Sequence, residues 1–338
     1  MKACVYKAPG APLEVTELPD PVAGPGEVVV RVKACGICGS DLHAAGRNFR
    51  MPPGTIMGHE FCGVVEAAGR GVENLRPGDP VVVMSYLGCG ECDPCHTGNA
   101  QRCRGVKLVG FGEVPGAYAE LMKTRPGSVF PMPPGMDFRT GATAEPLVVG
   151  LHGLHRAGFV AGESCVIMGA GPIGIVTMLW ARYAGARAIV ISELTEHRRR
   201  LALEMGADAA VDPRMRNPSG VVAQLAGGGP QVVFECTGAP GALAEAITYS
   251  QLGGRVVVIG VCTEDDGFVP ITAMSKELDM RFSLGVERAE VEMAIATLAA
   301  GRISTAAMIT HSLGIDDLPR AFTALMKPTS QTKVMVEF

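Results

Sequence analysis

From residue 163 to residue 285 short apolar runs alternate with helix-patterned stretches, and few folds tolerate that order. "ESCVIMG" (163–169) reads as a strand buried on both faces. "PIGIVTMLWARYAG" follows, with Ile173, Val176, Trp180 and Ala184 at helical spacing and Gly185 closing it. Then come "ARAIVIS", "EHRRRLALEMG", "DAAVD", a helical stretch to 226, "PQVVFECTG", "ALAEAITYS", "GRVVVIGV" and "MRFSLG". Each crossover contains a helix, so consecutive strands run parallel, and the segment should form a doubly wound α/β sheet.

The first turn of this segment carries "GAGPIG", Gly169-x-Gly171-x-x-Gly174. In such a turn the first glycine permits the tight bend and the second lets a pyrophosphate approach the backbone. The third lets helix pack on strand, with the helix N-terminus facing the phosphate. Glu193 ends the next strand about 20 residues on, where an acid binds ribose hydroxyls. A carboxylate there repels a 2′-phosphate, so NAD is expected rather than NADP. "HRRR" (197–200) lies nearby, and two of its three arginines are expected on a solvated helix face.

The first ~150 residues read differently. "EVVVRVKA" (27–34), "FCGVVEAAG" (61–69), "DPVVVMS" (79–85) and "GAYAELMK" (116–123) are strand-like runs broken by turns such as "GPGE" and "RPGD". After the alternation ends near 285, a helix (290–300) and a closing strand "KVMVEF" remain, and this tail is expected to return to the first domain. A length of 338 residues exceeds one ordinary core, so two domains are expected: 1–150 with 286–338, and 151–285.

Hydrophobic content of 47%, 19% charged residues and a net charge of −4 describe a globular chain with no electrostatic case for nucleic acid or an anionic membrane. "MKACVYKAPG" has no apolar stretch of a secretion signal and no run is long enough to span a bilayer, so the cytoplasm is the expected compartment. There the 11 cysteines suggest metal ligands or buried thiols rather than disulfides.

Four of them lie in "GCGECDPCHTGNAQRC": Cys89, Cys92, Cys95 and Cys103. Their spacing suits four thiolates converging on one zinc, with Gly90, Pro94 and Gly98 supplying bends. A site closed by four protein ligands has no open position, so its role should be structural. His96 is a competing ligand that the site does not need.

"CGICGSDLH" (35–43) has the Cys-x-x-Cys spacing of a redox pair, and equally of half a zinc site. Downstream stand His59 and Glu60 in "GHEFCG", then Glu145 in "ATAEPLVVGLH". A thiolate, an imidazole and a carboxylate are the donor types of a catalytic zinc with an open position, but spacing alone leaves the choice open.

The order "GICGSDLH", "PGTIMGHEFCGVV", "RPGDPVVV", the four-cysteine lobe, "EPLVVGLH" and "GAGPIG" resembles the zinc-dependent medium-chain dehydrogenase/reductase family over the whole chain. Its members include alcohol, sorbitol and secondary-alcohol dehydrogenases. The resemblance implies a chaperonin-10-like β-rich catalytic domain with an inserted Rossmann domain. It implies Cys38, His59 and Glu60 as catalytic-zinc ligands, with Glu60 binding directly or alternating with water. Glu145 stands where other members place a second cysteine, and would ligate the zinc or hydrogen-bond its water. Asp41 would orient His59. Ser40 would take the alcohol proton, the cofactor ribose would pass it on, and His43 would hand it to solvent. Ile173, Glu193 and Arg198 match dinucleotide contacts, and Gly260, Val261, Gly285 and Val286 fall in loops that contact nicotinamide. Cys35 has no metal role and should be buried. Phe49 and Tyr86 are either pocket-lining or core aromatics.

The implied activity is hydride transfer between a secondary alcohol or polyol, or the matching ketone, and NAD(P). The partners are a small-molecule substrate and further copies of the chain, as dimer or tetramer. The alternatives are a zinc-free enoyl or quinone reductase, or a non-catalytic NAD(P)-binding protein, on the same scaffold.

Overall fold

The computed structural model describes residues 1–48, 51–327 and 330–338. The chain divides into two compact units, Met1–Glu145 with Val286–Phe338, and Pro146–Gly285. The expected boundary at 150 falls inside the helix Ala144–Ala157.

In the second unit six parallel strands form one sheet. Across it run Ala209–Val211, Ala188–Ser192, Ser164–Met168, Val232–Glu235, Arg255–Val258 and Asp279–Phe282. The reversal of direction at Ser164–Met168 places the "GAGPIG" turn at the topological switch point, where such sheets bind ligands. The central strands are Val- and Ile-rich and fully buried because helices cover both faces.

In the first unit, strand Val28–Gly36 is the hub of a seven-stranded sheet. It pairs antiparallel with Glu60–Ala68, with Leu121–Thr124 and with the C-terminal strand Lys333–Glu337. Met335 lies opposite Gly36 and Val336 opposite Cys35, so the C-terminal strand runs beside the start of "CGICGSDLH". The strand-like run "GAYAELMK" forms a strand only from Leu121. Residues 116–118 instead donate their amides to carbonyls of residues 56–58, and Tyr118 O accepts from the Cys4 amide at 2.7 Å. Those backbone groups are shared between two partners rather than committed to one ladder.

Candidate functional site

Strand Val28–Gly36 delivers Cys38, and strand Glu60–Ala68 begins at Glu60, so the register of the pair (Gly36 opposite Glu60) brings the two motifs together. Ligand-type atoms of Cys38, His59 and Glu60 all lie within 4.8 Å of one another. His59 and Glu60 are buried, and Cys38 is half-buried at the N-cap of the short helix Gly39–His43. Gly36 is required for this approach: a Cβ there would stand 2.2 Å from a Glu60 carboxylate oxygen. The donor set of sulfur, nitrogen and oxygen fits zinc.

Asp41 accepts from His59 Nδ1 at 3.0 Å and from the Cys38 amide at 3.1 Å. That leaves Nε2 as the metal-facing nitrogen of the imidazole. Burial alone would push the Asp41 carboxyl up, but His59, the Tyr118 hydroxyl and the Cys38 amide hold it below its ordinary value. Burial likewise works against charge on His59, and the charges of Asp41 and Cys38 outweigh it, raising the imidazole well above its usual value.

Ser40 Oγ donates to Cys38 Sγ at 3.1 Å and lies 3.3 Å from His59 Nε2, inside the donor cluster. His43 is exposed at the last position of the helix. Glu145 is buried but lies outside the 4.8 Å cluster, and its carboxylate accepts from Ser85 at 3.4 Å. Burial pushes Glu145 up to about 7; His59 lowers it and Glu60 raises it. Tyr86 is half-buried, and burial followed by the charge of Glu145 pushes it up to about 12. Phe49 lies outside the described residues.

Sequence reasoning passed over two residues here. Lys333, 1% exposed, donates to both Glu60 oxygens at 2.6 and 2.8 Å and to Ile37 O at 3.1 Å. Burial lowers the pKa of the ammonium, but Glu60 and Cys38 outweigh it and hold it above its ordinary value. A lysine followed directly by the apolar run Val334–Val336 was the available signal. Tyr118 donates to Asp41 Oδ2 at 2.7 Å, and it looked like any strand aromatic.

Cys35 is fully buried, pairs across the sheet with Phe61, and burial first of all pushes its thiol well up. It packs in the core while Cys38 faces the donor cluster, which makes a redox pair unsuitable.

In the lobe, the sulfurs of Cys89, Cys92, Cys95 and Cys103 also lie within 4.8 Å of one another, with Cys92–Cys95 at 3.5 Å and Cys89–Cys95 at 4.0 Å. Tetrahedral zinc with bonds of about 2.3 Å needs sulfur separations of about 3.8 Å, so four thiolates fit. Amides of Glu91 and Gly105 donate to Cys89 and Cys103 sulfurs at 3.4 and 3.3 Å. His96 is exposed and is not among the clustered donors. All eleven cysteines are free.

In the second unit Gly169 has φ +90°, and a Cβ on Gly174 would stand 1.9 Å from Gly169 O. Gly171 faces open space, so a phosphate can reach the backbone at the N-terminus of helix Pro172–Tyr183. Glu193 is buried, its two oxygens accepting from the Ala170 and Thr195 amides at 2.9 and 2.7 Å. This ties the acid to the glycine turn, and the residues present fit a dinucleotide. Ile173 and Arg198 are half-buried nearby in sequence. Of the arginines in "HRRR", only Arg200 is exposed, paired with Glu196. Arg199 is half-buried and donates to the carbonyls of Glu193 and Leu194, so the expectation of two solvated arginines is corrected. The carbonyls that end the strand recruit it.

Gly260 packs against the turn after Val232–Glu235: a Cβ there would stand 2.2 Å from the Gly238 amide nitrogen. Val261 beside it is exposed. Gly285 ends the second unit and the buried Val286 opens the return of the first.

Two family models match the chain, "Alcohol dehydrogenase GroES-like domain" over residues 24–134 and "Zinc-binding dehydrogenase" over residues 172–300. The chain is 31% identical to sorbitol dehydrogenase of Macaca fascicularis, over 96% of this chain and 92% of that one. It is 33% identical to L-threonine 3-dehydrogenase of Thermococcus kodakarensis, over 99% and 97%. A zinc-binding dehydrogenase from Sinorhizobium meliloti 1021, solved bound to NADP, superposes with a TM-score of 0.90 at 32% identity, covering 100% of this chain and 99% of that one.

Proposed function

The chain belongs to the zinc-dependent medium-chain dehydrogenase/reductase family of alcohol and polyol dehydrogenases, and from that premise we propose that Cys38, His59 and Glu60 hold its catalytic zinc. The enzyme is an NAD(P)-dependent oxidoreductase acting on the CH–OH group of a secondary alcohol or polyol, or on the matching ketone. One observation carries the metal reading: three unlike donors converge within 4.8 Å, and the imidazole's other nitrogen is held by a buried carboxylate.

Zinc at this site would act as a Lewis acid on the substrate hydroxyl, lowering its pKa toward neutrality, and bound NAD(P) would accept the hydride. Asp41 fixes the tautomer of His59. Lys333 neutralises Glu60 and competes for its oxygens, which suits a carboxylate that alternates with water. Glu145, held by Ser85, would ligate the metal or hydrogen-bond its water. Ser40 Oγ, inside the cluster, takes the alcohol proton, and His43, exposed, would receive it by way of the ribose of the bound cofactor and hand it to solvent. The four lobe cysteines would hold a structural zinc.

Gly169, Gly171, Ile173 and Gly174 bind the pyrophosphate region, with Arg198, Gly260, Val261, Gly285 and Val286 as further cofactor contacts. Glu193 favours NAD over NADP, because its buried carboxylate is anchored to the glycine turn and cannot swing away from a 2′-phosphate. A homo-oligomer is supported by the edge strand Asp279–Phe282, which ends in the exposed Phe282 with exposed Leu284 just beyond it, and by the exposed Ile271 and Met274 of the helix Pro270–Met274. Among the described residues no helix is long and apolar enough to cross a membrane, and the cytoplasm remains the proposed compartment.

The test is metal analysis with a substrate panel. Two zincs per chain, and turnover of polyols, secondary alcohols or L-threonine with NAD above NADP, are expected. One zinc, lost with the lobe, would sink the metal assignment, and a large preference for NADP would sink the reading of Glu193.

A further inference from the structure

The Tyr118 hydroxyl stands in a seat more elaborate than a core aromatic needs. Its amide donates to Met57 O at 2.9 Å and its carbonyl accepts from the Cys4 amide at 2.7 Å, so the backbone is pinned on both sides. The ring lies over Gly58, the residue before His59. Gly58 has φ +89°, and a Cβ on it would stand 2.5 Å from the Tyr118 ring. The Phe322 ring meets it edge-on at 6.3 Å. This packing aims the hydroxyl, wholly buried, at Asp41 Oδ2, 2.7 Å away.

Asp41 has no exposed surface and three donors: His59 Nδ1 on one oxygen, and the Cys38 amide and Tyr118 hydroxyl on the other. The His59 and Tyr118 contacts together set how the carboxylate is turned, and thus where its second oxygen meets the imidazole. Without the hydroxyl, Oδ2 keeps only the longer 3.1 Å bond from the Cys38 amide, and a buried carboxylate short of a donor turns toward whatever donor remains.

We infer that Tyr118 is a positioning residue for His59, acting through Asp41, so that the hydroxyl helps to aim the metal-binding nitrogen. The inference rests on the reading of Cys38, His59 and Glu60 as a zinc site. Phenylalanine at 118 would fill nearly the same volume and remove only the donor.

The experiment compares holoenzyme with Tyr118→Phe, following zinc release to a chelator from each site and the absorption of the cobalt-substituted catalytic site. The expected result is metal release from the Cys38 site about ten-fold faster, the range seen when outer partners of metal-bound histidines are lost. The cobalt absorption should shift and the four-cysteine metal should leave at its wild-type rate. On an Asp41→Asn background, Tyr118→Phe should add nothing further, because the path runs through that carboxylate. Phe322→Leu, which removes only the edge-on ring and keeps both the hydroxyl and the Gly58 seat, should release metal more slowly than Tyr118→Phe. Unchanged release and absorption in Tyr118→Phe, full additivity with Asp41→Asn, or equal effects of Tyr118→Phe and Phe322→Leu would each overturn the inference. A wild-type chain that holds metal only in the four-cysteine lobe would instead overturn the zinc-site reading, and the inference with it.

Discussion

The four-cysteine lobe and the Cys38 cluster each gather metal-type donors within 4.8 Å, yet they are supported in opposite ways. The lobe draws all its donors from 89–103, and its sulfurs are supported locally, by glycines at positive φ (Gly90 at +85°, Gly98 at +79°) and amides donating to sulfur, while the Arg288 amide donates to Gly98 O at 3.0 Å from farther along the chain. The Cys38 cluster has unlike donors, and buried side chains from distant strands and loops stand behind two of them. Asp41 and Tyr118 stand behind His59, and Lys333 behind Glu60. Four identical thiolates around a tetrahedral ion largely orient one another. A site with mixed donors and an open position has no such symmetry, and its geometry must come from outside.

Four changes probe that contrast. The largest expected effect follows Cys38→Ser, which should cut turnover about a thousand-fold or more, since a Lewis acid contributes several kcal/mol to the barrier. Lobe zinc and NAD binding should survive; steady-state kinetics with cofactor titration decides, and surviving activity would end the assignment. Next comes Glu60→Gln. It leaves Lys333 buried at 1% exposure without its partner and should destabilise the fold by about 3–5 kcal/mol. Adding Lys333→Met should recover most of that in chemical denaturation; failure to recover would mean that the ion pair is not the source of the loss. Cys92→Ser should reduce bound zinc from two to one and open 88–105 to hydrogen exchange, while the Rossmann sheet stays protected. Exchange spreading across the chain would contradict a locally supported lobe. The mildest treatment is a chelator on the intact protein. The open site should lose its metal before the closed one, and simultaneous loss would erase the distinction.

Much of this could be read before any coordinates. The βα alternation from 163, the glycines of "GAGPIG" and Glu193, and the lobe cysteines all depend on neighbours within about 20 residues in sequence. Their structure matches the pattern because local spacing and turn chemistry suffice to build it. "CGICGSDLH" was legible as a motif, but the unequal fates of its cysteines depend on the sheet. Cys35 lies opposite Phe61 in the core, and the chain turns before Cys38. Arg199 shows the limit on a helix face, where sequence cannot say which arginine finds the carbonyls of Glu193 and Leu194.

From residue order alone come the two fold types, the dinucleotide turn, the closed four-sulfur lobe and the donor types of the second cluster. The tertiary structure alone supplied Tyr118 behind Asp41 and Lys333 on Glu60, and it set Glu145 on Ser85 beyond the donor cluster. Lys333 and Glu60 are 273 positions apart, Tyr118 and Asp41 77. No local pattern encodes such pairs. They exist because a buried charge must find a partner in whatever the folded sheet brings beside it, and the sheet pairs the last strand with the one that carries the first motif.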